Sequence, residues 1–199
     1  MSLRNRLGWL LALFLVQLLY IPINRTVSGG VQTSIALDGW IPLYPVWTIP
    51  YVLSLVWWAG FYTWAGLKMD DRLYTALIAS TLFTMLTAYT FYLLYPTYVI
   101  RPSVEGNGWQ YDMLRRVYAA DKTYNAFPSG HTYTSLLILF YWWRWRPQMH
   151  WLWVLIVAVV LLSTLFTGQH NLADLLGGGL WAGSGYYFGQ WCTNRFTRS

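Results

Sequence analysis

Asn125-Ala126-Phe127-Pro128-Ser129-Gly130-His131-Thr132 runs without a break into the apolar segment 133–143. Proline, serine and glycine in succession are turn chemistry, and a serine or glycine directly before an apolar run is how helices begin. The stretch therefore predicts a helix with His131 in its first turn. The first four N–H groups of a helix lack partners inside it, and the macrodipole adds partial positive charge there. Such an end receives phosphate readily. A histidine at that address donates a proton to a phosphate oxygen, or attacks phosphorus, once a second group completes the site. The same eight residues also read as a capped helix carrying an incidental histidine.

Working outward, the chain is 199 residues long, 56% hydrophobic, 20% aromatic and only 10% charged. Soluble domains carry roughly 25% charged residues, so this composition excludes an ordinary soluble domain. Uncharged runs at 39–67, 73–100 and 147–173 each exceed the about 20 residues that cross a bilayer as a helix. No shift in composition marks a boundary, which predicts one integral membrane domain over 1–199. Cys192 is the single cysteine and permits no internal disulfide. The basic start at Arg4 and Arg6 before an apolar core at 7–23 has the layout of a secretory signal, but no small-residue cut site follows. It is read as an uncleaved first span.

The expected architecture is all-α: a six-span bundle with spans at about 7–23, 46–66, 73–95, 130–146, 150–167 and 172–191. With the N-terminus cytoplasmic, Arg4, Arg6, Lys68, Arg72, Arg144, Arg146, Arg195 and Arg198 lie inside, and Arg25, Arg101, Arg115, Arg116 and Lys122 lie outside. Eight against five follows the positive-inside rule. Both termini are then cytoplasmic, in an inner membrane. The net charge of +6 is thereby accounted for without nucleic acid. In the outer loop between spans three and four, Trp109, Met113, Leu114, Val117 and Tyr118 recur at helical spacing, opposite Asp112, Arg115 and Arg116. That pattern fits a short interfacial helix, or equally a segment packed on the protein. The last span carries Gly177, Gly178, Gly179, Gly183, Gly185 and Gly189, small residues that let helices approach closely.

This topology gathers the polar groups on one leaflet. His131 starts span four, Arg101 follows span three, and His170 with Asp174 begins span six. An ionisable residue within a span marks function by default, and a spacing of four puts Asp174 on the same face as His170 if the helix reaches back that far. A carboxylate on one imidazole nitrogen fixes the tautomer and strengthens the other nitrogen as base or nucleophile. Alternatively, Asn171 caps the helix and Asp174 answers its positive end. Two histidines at one depth also suit bis-histidine haem in a membrane bundle. His150, at the inner end of span five, reads as an interfacial residue.

Arg101-Pro102, Pro128-Ser129-Gly130-His131, and Ser163 with His170 and Asp174 together resemble the three-part signature of the type 2 phosphatidic acid phosphatase superfamily. The resemblance implies a lipid phosphatase acting through a phosphohistidine, with no metal or other cofactor. It implies His170 as nucleophile, Asp174 as its orienter and His131 as general acid, with Arg101, Ser129 and Gly130 cradling the phosphate. The substrate would be a lipid phosphomonoester or pyrophosphate, hydrolysed at the outer face. Two expected cations are missing, since Leu94 and Thr164 stand where the family has lysine and arginine. Tyr95-Pro96-Thr97 and Tyr124-Asn125-Ala126-Phe127 look more like the branch related to inositol phosphorylceramide synthases, which implies, as an alternative, transfer of a phosphoryl or phosphoalcohol group to a lipid or polyol. A non-enzymatic haem-binding or transport protein is the reading outside the enzyme class. Arg115, Arg116 and Lys122 are candidates to replace the missing cations, and the oligomeric state has no signature in the sequence.

Overall fold

The computed structural model describes residues 1–196; Arg198, placed on the inner side above, lies outside them. The helices are α1 (Leu3–Leu18), α2 (Tyr20–Thr26), α3 (Thr48–Lys68), α4 (Asp71–Leu94), α5 (Trp109–Ala120), α6 (Gly130–Trp145), α7 (His150–Phe166) and α8 (Leu172–Phe196). Their starts follow from local chemistry. Ser2, Asp70 and Ser129 each accept a hydrogen bond from the backbone N–H three residues on, which satisfies a donor that the helix itself leaves orphaned.

A helix covers each of the six stretches that hydropathy picks out. Three of them are long and apolar enough to cross a bilayer: Leu3–Thr26, Asp71–Leu94 and Pro147–Phe166. Helix α6, at 16 residues, is shorter than the about 20 that a crossing takes, and α3 and α8 dilute their aliphatic content with Trp, Tyr and Gly. The helix expected in the 95–130 loop is present as α5. Its Leu114 is fully buried, and Trp109 at its start is exposed, so part of the apolar face is turned onto the protein.

Segment 24–45 contains a two-residue strand β1 (Val31–Gln32) paired in parallel with β2 (Thr97–Tyr98), and a 3-10 turn at Ala36–Trp40. It is fastened to the chain just before α8. Tyr44 N–H donates to Phe166 O at 2.8 Å, Asn171 Nδ2 to Thr33 Oγ1 at 3.0 Å, and Leu172 N–H to Asp38 Oδ1 at 2.8 Å.

The core is α8 packed between α4 and α6, and its glycines set the distance. A Cβ on Gly189 would lie 2.3 Å from Ala76 O, and one on Gly185 1.9 Å from Thr84 Oγ1. On Gly178 it would lie 2.6 Å from Thr132 Cβ. The expected packing role of these residues is thus visible as backbone against helix, with no room for a side chain. By contrast, a Cβ on Gly183 meets nothing within 4 Å. Alanine is worth about 1 kcal/mol more than glycine in a helix interior, whereas overpacking costs about 1–3 kcal/mol. Thermal unfolding in detergent should therefore show Gly189→Ala lowering the midpoint, with Gly183→Ala neutral or raising it.

Candidate active site

Three segments meet at the end of the bundle where α6 and α8 begin. Ser129 caps α6 through its hydroxyl, and its own N–H donates to the Asp174 carbonyl in the first turn of α8 at 3.0 Å. The Phe127-Pro128 peptide is cis. Tyr92 donates to Pro128 O at 2.5 Å, and the Phe127 N–H donates to Thr97 Oγ1 at 2.9 Å. The loop ahead of His131 is thus held from α4, β2 and α8 together.

His131 lies in the first turn of α6, as the sequence predicts. Its ring stacks on Tyr51 with centroids 4.4 Å apart and tilts against Trp58 at 5.0 Å. Trp58 is itself fixed by donating to Ser135 Oγ at 3.1 Å. The His170 ring stands 5.9 Å from that of His131, at 61°. Both line one cavity of about 410 Å³, shared with Arg101, Gly130, Tyr51, Trp58 and Asp121.

Asp174 is fully buried, with Oδ2 3.5 Å from His170 Nδ1. The same oxygen accepts the Asn171 N–H at 2.8 Å. One carboxylate thus both faces the histidine and caps the helix start; Asn171, expected to cap the helix, instead donates its side-chain amide to Thr33. The route differs from a shared helix face, however, because α8 begins at Leu172 and His170 sits in the turn before it. That turn, not helical periodicity, brings positions 170 and 174 together.

Arg101 occupies the site in an unexpected way. Nη1 donates to Tyr118 O and Asp121 O at 3.3 and 2.6 Å, and Nη2 to Lys122 O and Gln169 Oε1 at 3.0 and 2.5 Å. The guanidinium also lies over the Tyr118 ring, 4.7 Å from its centroid. Only Nε, buried and unpartnered, remains. Arg101 thus ties the end of α5 to the residue before His170. Tyr118 reinforces the tie, donating to Thr167 O at 2.7 Å, and burial pushes its hydroxyl up to about 12.

The remaining candidates divide clearly. Gly130 lines the cavity, while Ser129 is fully buried with its oxygen engaged in the cap. Leu94 is 67% exposed, whereas Thr164 is fully buried, its carbonyl accepting the His170 N–H at 3.2 Å and its hydroxyl donating to Leu161 O at 2.7 Å. Lys122 lines the cavity and its Nζ donates to Arg25 O at 2.7 Å. Arg115 is directed elsewhere, to Asp112, Val104 O and Gly106 O. Arg116 is exposed and is not among the cavity-lining residues. His150 stacks on Trp143 at the opposite end of the bundle.

Sequence reasoning missed Tyr51 and Trp58, because aromatic residues are too common in this chain for any two to stand out. It also missed Asp38, whose carboxylate reaches the start of α8 from a loop over a hundred residues away, and Asp121. Burial pushes the Asp121 carboxyl above its ordinary range, against the nearby Arg101 charge and the hydrogen bond donated by Tyr20.

The Arg101 contacts make a prediction that a purely ligand-binding arginine does not. Lysine cannot reproduce a fork to four oxygens, and hydrogen bonds from charged groups are worth about 1.5–3 kcal/mol each. Arg101→Lys should therefore lower unfolding stability by about 2 kcal/mol or more in protein without substrate, read by thermal or denaturant melts.

A family model described as the PAP2 superfamily matches residues 17–188. No curated protein and no solved structure matches the chain significantly. The match takes in Arg101, Gly130, His131 and His170, which line one cavity, and Asp174, buried behind His170. The chain belongs to the PAP2 superfamily, whose members are typically phosphatases or phosphotransferases of phosphoesters.

Proposed function

We propose that this protein is an integral membrane enzyme of one domain that breaks a phosphoester or pyrophosphate bond of a lipid. It acts through a covalent phosphohistidine on His170. The observation that carries the reading is the pair of imidazoles on one cavity wall, centroids 5.9 Å apart, with a buried carboxylate behind His170 alone. The asymmetry separates the roles. Asp174 keeps the proton of His170 on Nδ1, leaving Nε2 as the nucleophile. His131, with no carboxylate partner among the described residues, is the proton carrier.

In the first step His170 Nε2 forms a bond to phosphorus as the bond to the leaving oxygen breaks, and His131 delivers a proton to that oxygen. In the second, water attacks the phosphohistidine while His131 takes its proton back, and the nitrogen-phosphorus bond breaks. Imidazolium charge on His170 is offset by Asp174 throughout. The 3.5 Å gap between them suits a contact that tightens as charge develops.

A lipid substrate is supported by the shape of the cavity. Its lining includes Arg101, Asp121 and Gln169 along with the histidines, and also Ile21 of α2 with Val52 and Leu55 of α3. Ile21 and Leu55 are exposed on the outside of the bundle. Helices α1 and α3 close on each other at the far end, where a Cβ on Gly66 would lie 2.9 Å from Leu10. A hydrocarbon tail can therefore leave sideways between them while the headgroup meets the histidines. On this reading all six long helical stretches cross the membrane, α5 rests at the outer interface, and the cavity faces outward from an inner membrane with both termini cytoplasmic.

Transfer to an alcohol in place of water is the second reading, and Asp121 is what favours it. Its carboxylate lines the same cavity, where it would repel a phosphate yet accept a hydrogen bond from a hydroxyl.

The test uses purified protein in vesicles containing phosphatidate, phosphatidylglycerol phosphate, a polyprenyl pyrophosphate or a phosphoinositide, scored for free phosphate against transferred product. His170→Ala should abolish both products. His131→Ala should slow turnover about 10²- to 10⁴-fold for poor leaving groups and much less for an activated ester such as p-nitrophenyl phosphate. Wild-type rates in both variants on every substrate would refute the assignment, and a Soret band lost in both would favour haem.

A further inference from the structure

We infer that the amide side chains of Gln169 and Asn125 bind the substrate's phosphate, in the place left by the cations absent at positions 94 and 164. This rests on the phosphoester reading above and extends it to two residues outside the family signature.

Gln169 precedes His170 in the chain, is 5% exposed and lines the cavity. Its amide is oriented without ambiguity, because Oε1 accepts from Arg101 Nη2 at 2.5 Å. The other end, Nε2, must then be the donor, and it is buried with no partner. Asn125 opens the turn that leads to His131. It is 2% exposed, holds a left-handed backbone at φ 61°, lines the same cavity, and has both amide atoms buried and unpartnered. An unsatisfied buried polar group costs about 1–3 kcal/mol, and native structures keep few of them. Two such amides in one cavity wall, joined there by the unpartnered Arg101 Nε, offer N–H donors, and Asn125 Oδ1 adds an acceptor. Ionised phosphate oxygens accept from such donors, and a protonated one donates to the acceptor.

The geometry also explains why the missing cations are not needed at their usual places. Leu94 points outward at 67% exposure, and Thr164 is packed and donates to Leu161 O at 2.7 Å. A charged side chain at 94 would stand on the exposed surface, and one at 164 would have to be buried. Neutral amides supply hydrogen bonds without the cost of burying another unpaired charge. Arg101 then provides the fixed positive charge, while Lys122 and Arg25 stand exposed at the cavity mouth.

The experiment replaces donors by acceptors at constant shape. Gln169→Glu and Asn125→Asp keep side-chain volume, and the glutamate can still accept from Arg101. Binding of inorganic phosphate and of orthovanadate to detergent-solubilised protein is measured by calorimetry and ³¹P or ⁵¹V NMR, with thermal melts as the check on folding. Each variant should weaken phosphate binding roughly 10- to 100-fold, and Gln169→Glu, whose carboxylate pairs with Arg101, should melt no lower than wild type. Gln169→Leu should weaken binding similarly, with a lower melting point from loss of the Arg101 contact. Unchanged affinity in both isosteric variants would overturn the inference, as would loss confined to Arg25→Gln and Lys122→Gln. Binding is read without turnover. Loss of phosphate affinity in an inactive protein would therefore support these two residues while counting against the enzymatic reading.

Discussion

The hydrogen bond from Ser129 N–H to the Asp174 carbonyl joins the first turn of α6 to the first turn of α8, and the rest of the site is built around that junction. It forms only because α8 presents glycine there. A side chain at Gly178 would strike Thr132 and the Ser129 carbonyl, and one at Gly177 would strike Phe127. With the two helix starts in contact, the imidazole inside one and the imidazole just before the other face the same cavity. The bulk of α8 serves the same end, since its further glycines press it against α4. Packing deep in the bundle thereby fixes the separation of two groups at its end.

The second constraint is the economy of charge. Asp174 is wholly buried, and its Oδ2 takes the Asn171 N–H and faces His170 while Oδ1 has no partner; a carboxylate at such a position depends on the contacts that it has. Arg101 is surrounded by carbonyl oxygens that hold it in place, and so it holds α5 in place. The aromatic wall of Tyr51 and Trp58 restricts the His131 ring from the other side. An imidazole backed by a carboxylate and another held among aromatic rings make an unequal pair, as the proposed two-step transfer requires.

Much of this was legible in the sequence. Proline, serine and glycine before an apolar run placed His131 in a helix's first turn, because capping chemistry is local. The convergence of Arg101, His131, His170 and Asp174 on one end followed from counting spans. The route to the His170–Asp174 contact did not, since a spacing of four arises here from a turn held by the Asp174 cap, by Asp38 and by the Thr164 carbonyl, which accepts the N–H groups of Gln169 and His170. Nor could the sequence show that Arg101 gives four hydrogen bonds to the protein. Backbone carbonyls at 118, 121 and 122 look alike whatever residue bears them. Crossing helices were also harder to count than helices, because α3 and α8 carry aromatic and glycine residues in place of aliphatic ones.

The account stands on a single imidazole taking the phosphorus. It is tested most directly by mixing the protein with a ³²P-labelled lipid substrate, quenching in alkali within milliseconds, and locating the label by peptide mapping. The account predicts an acid-labile, alkali-stable phosphohistidine at position 170, carried on Nε2 and absent when Asn replaces the histidine. Label on His131, or turnover with no trapped intermediate at any quench time, would contradict it.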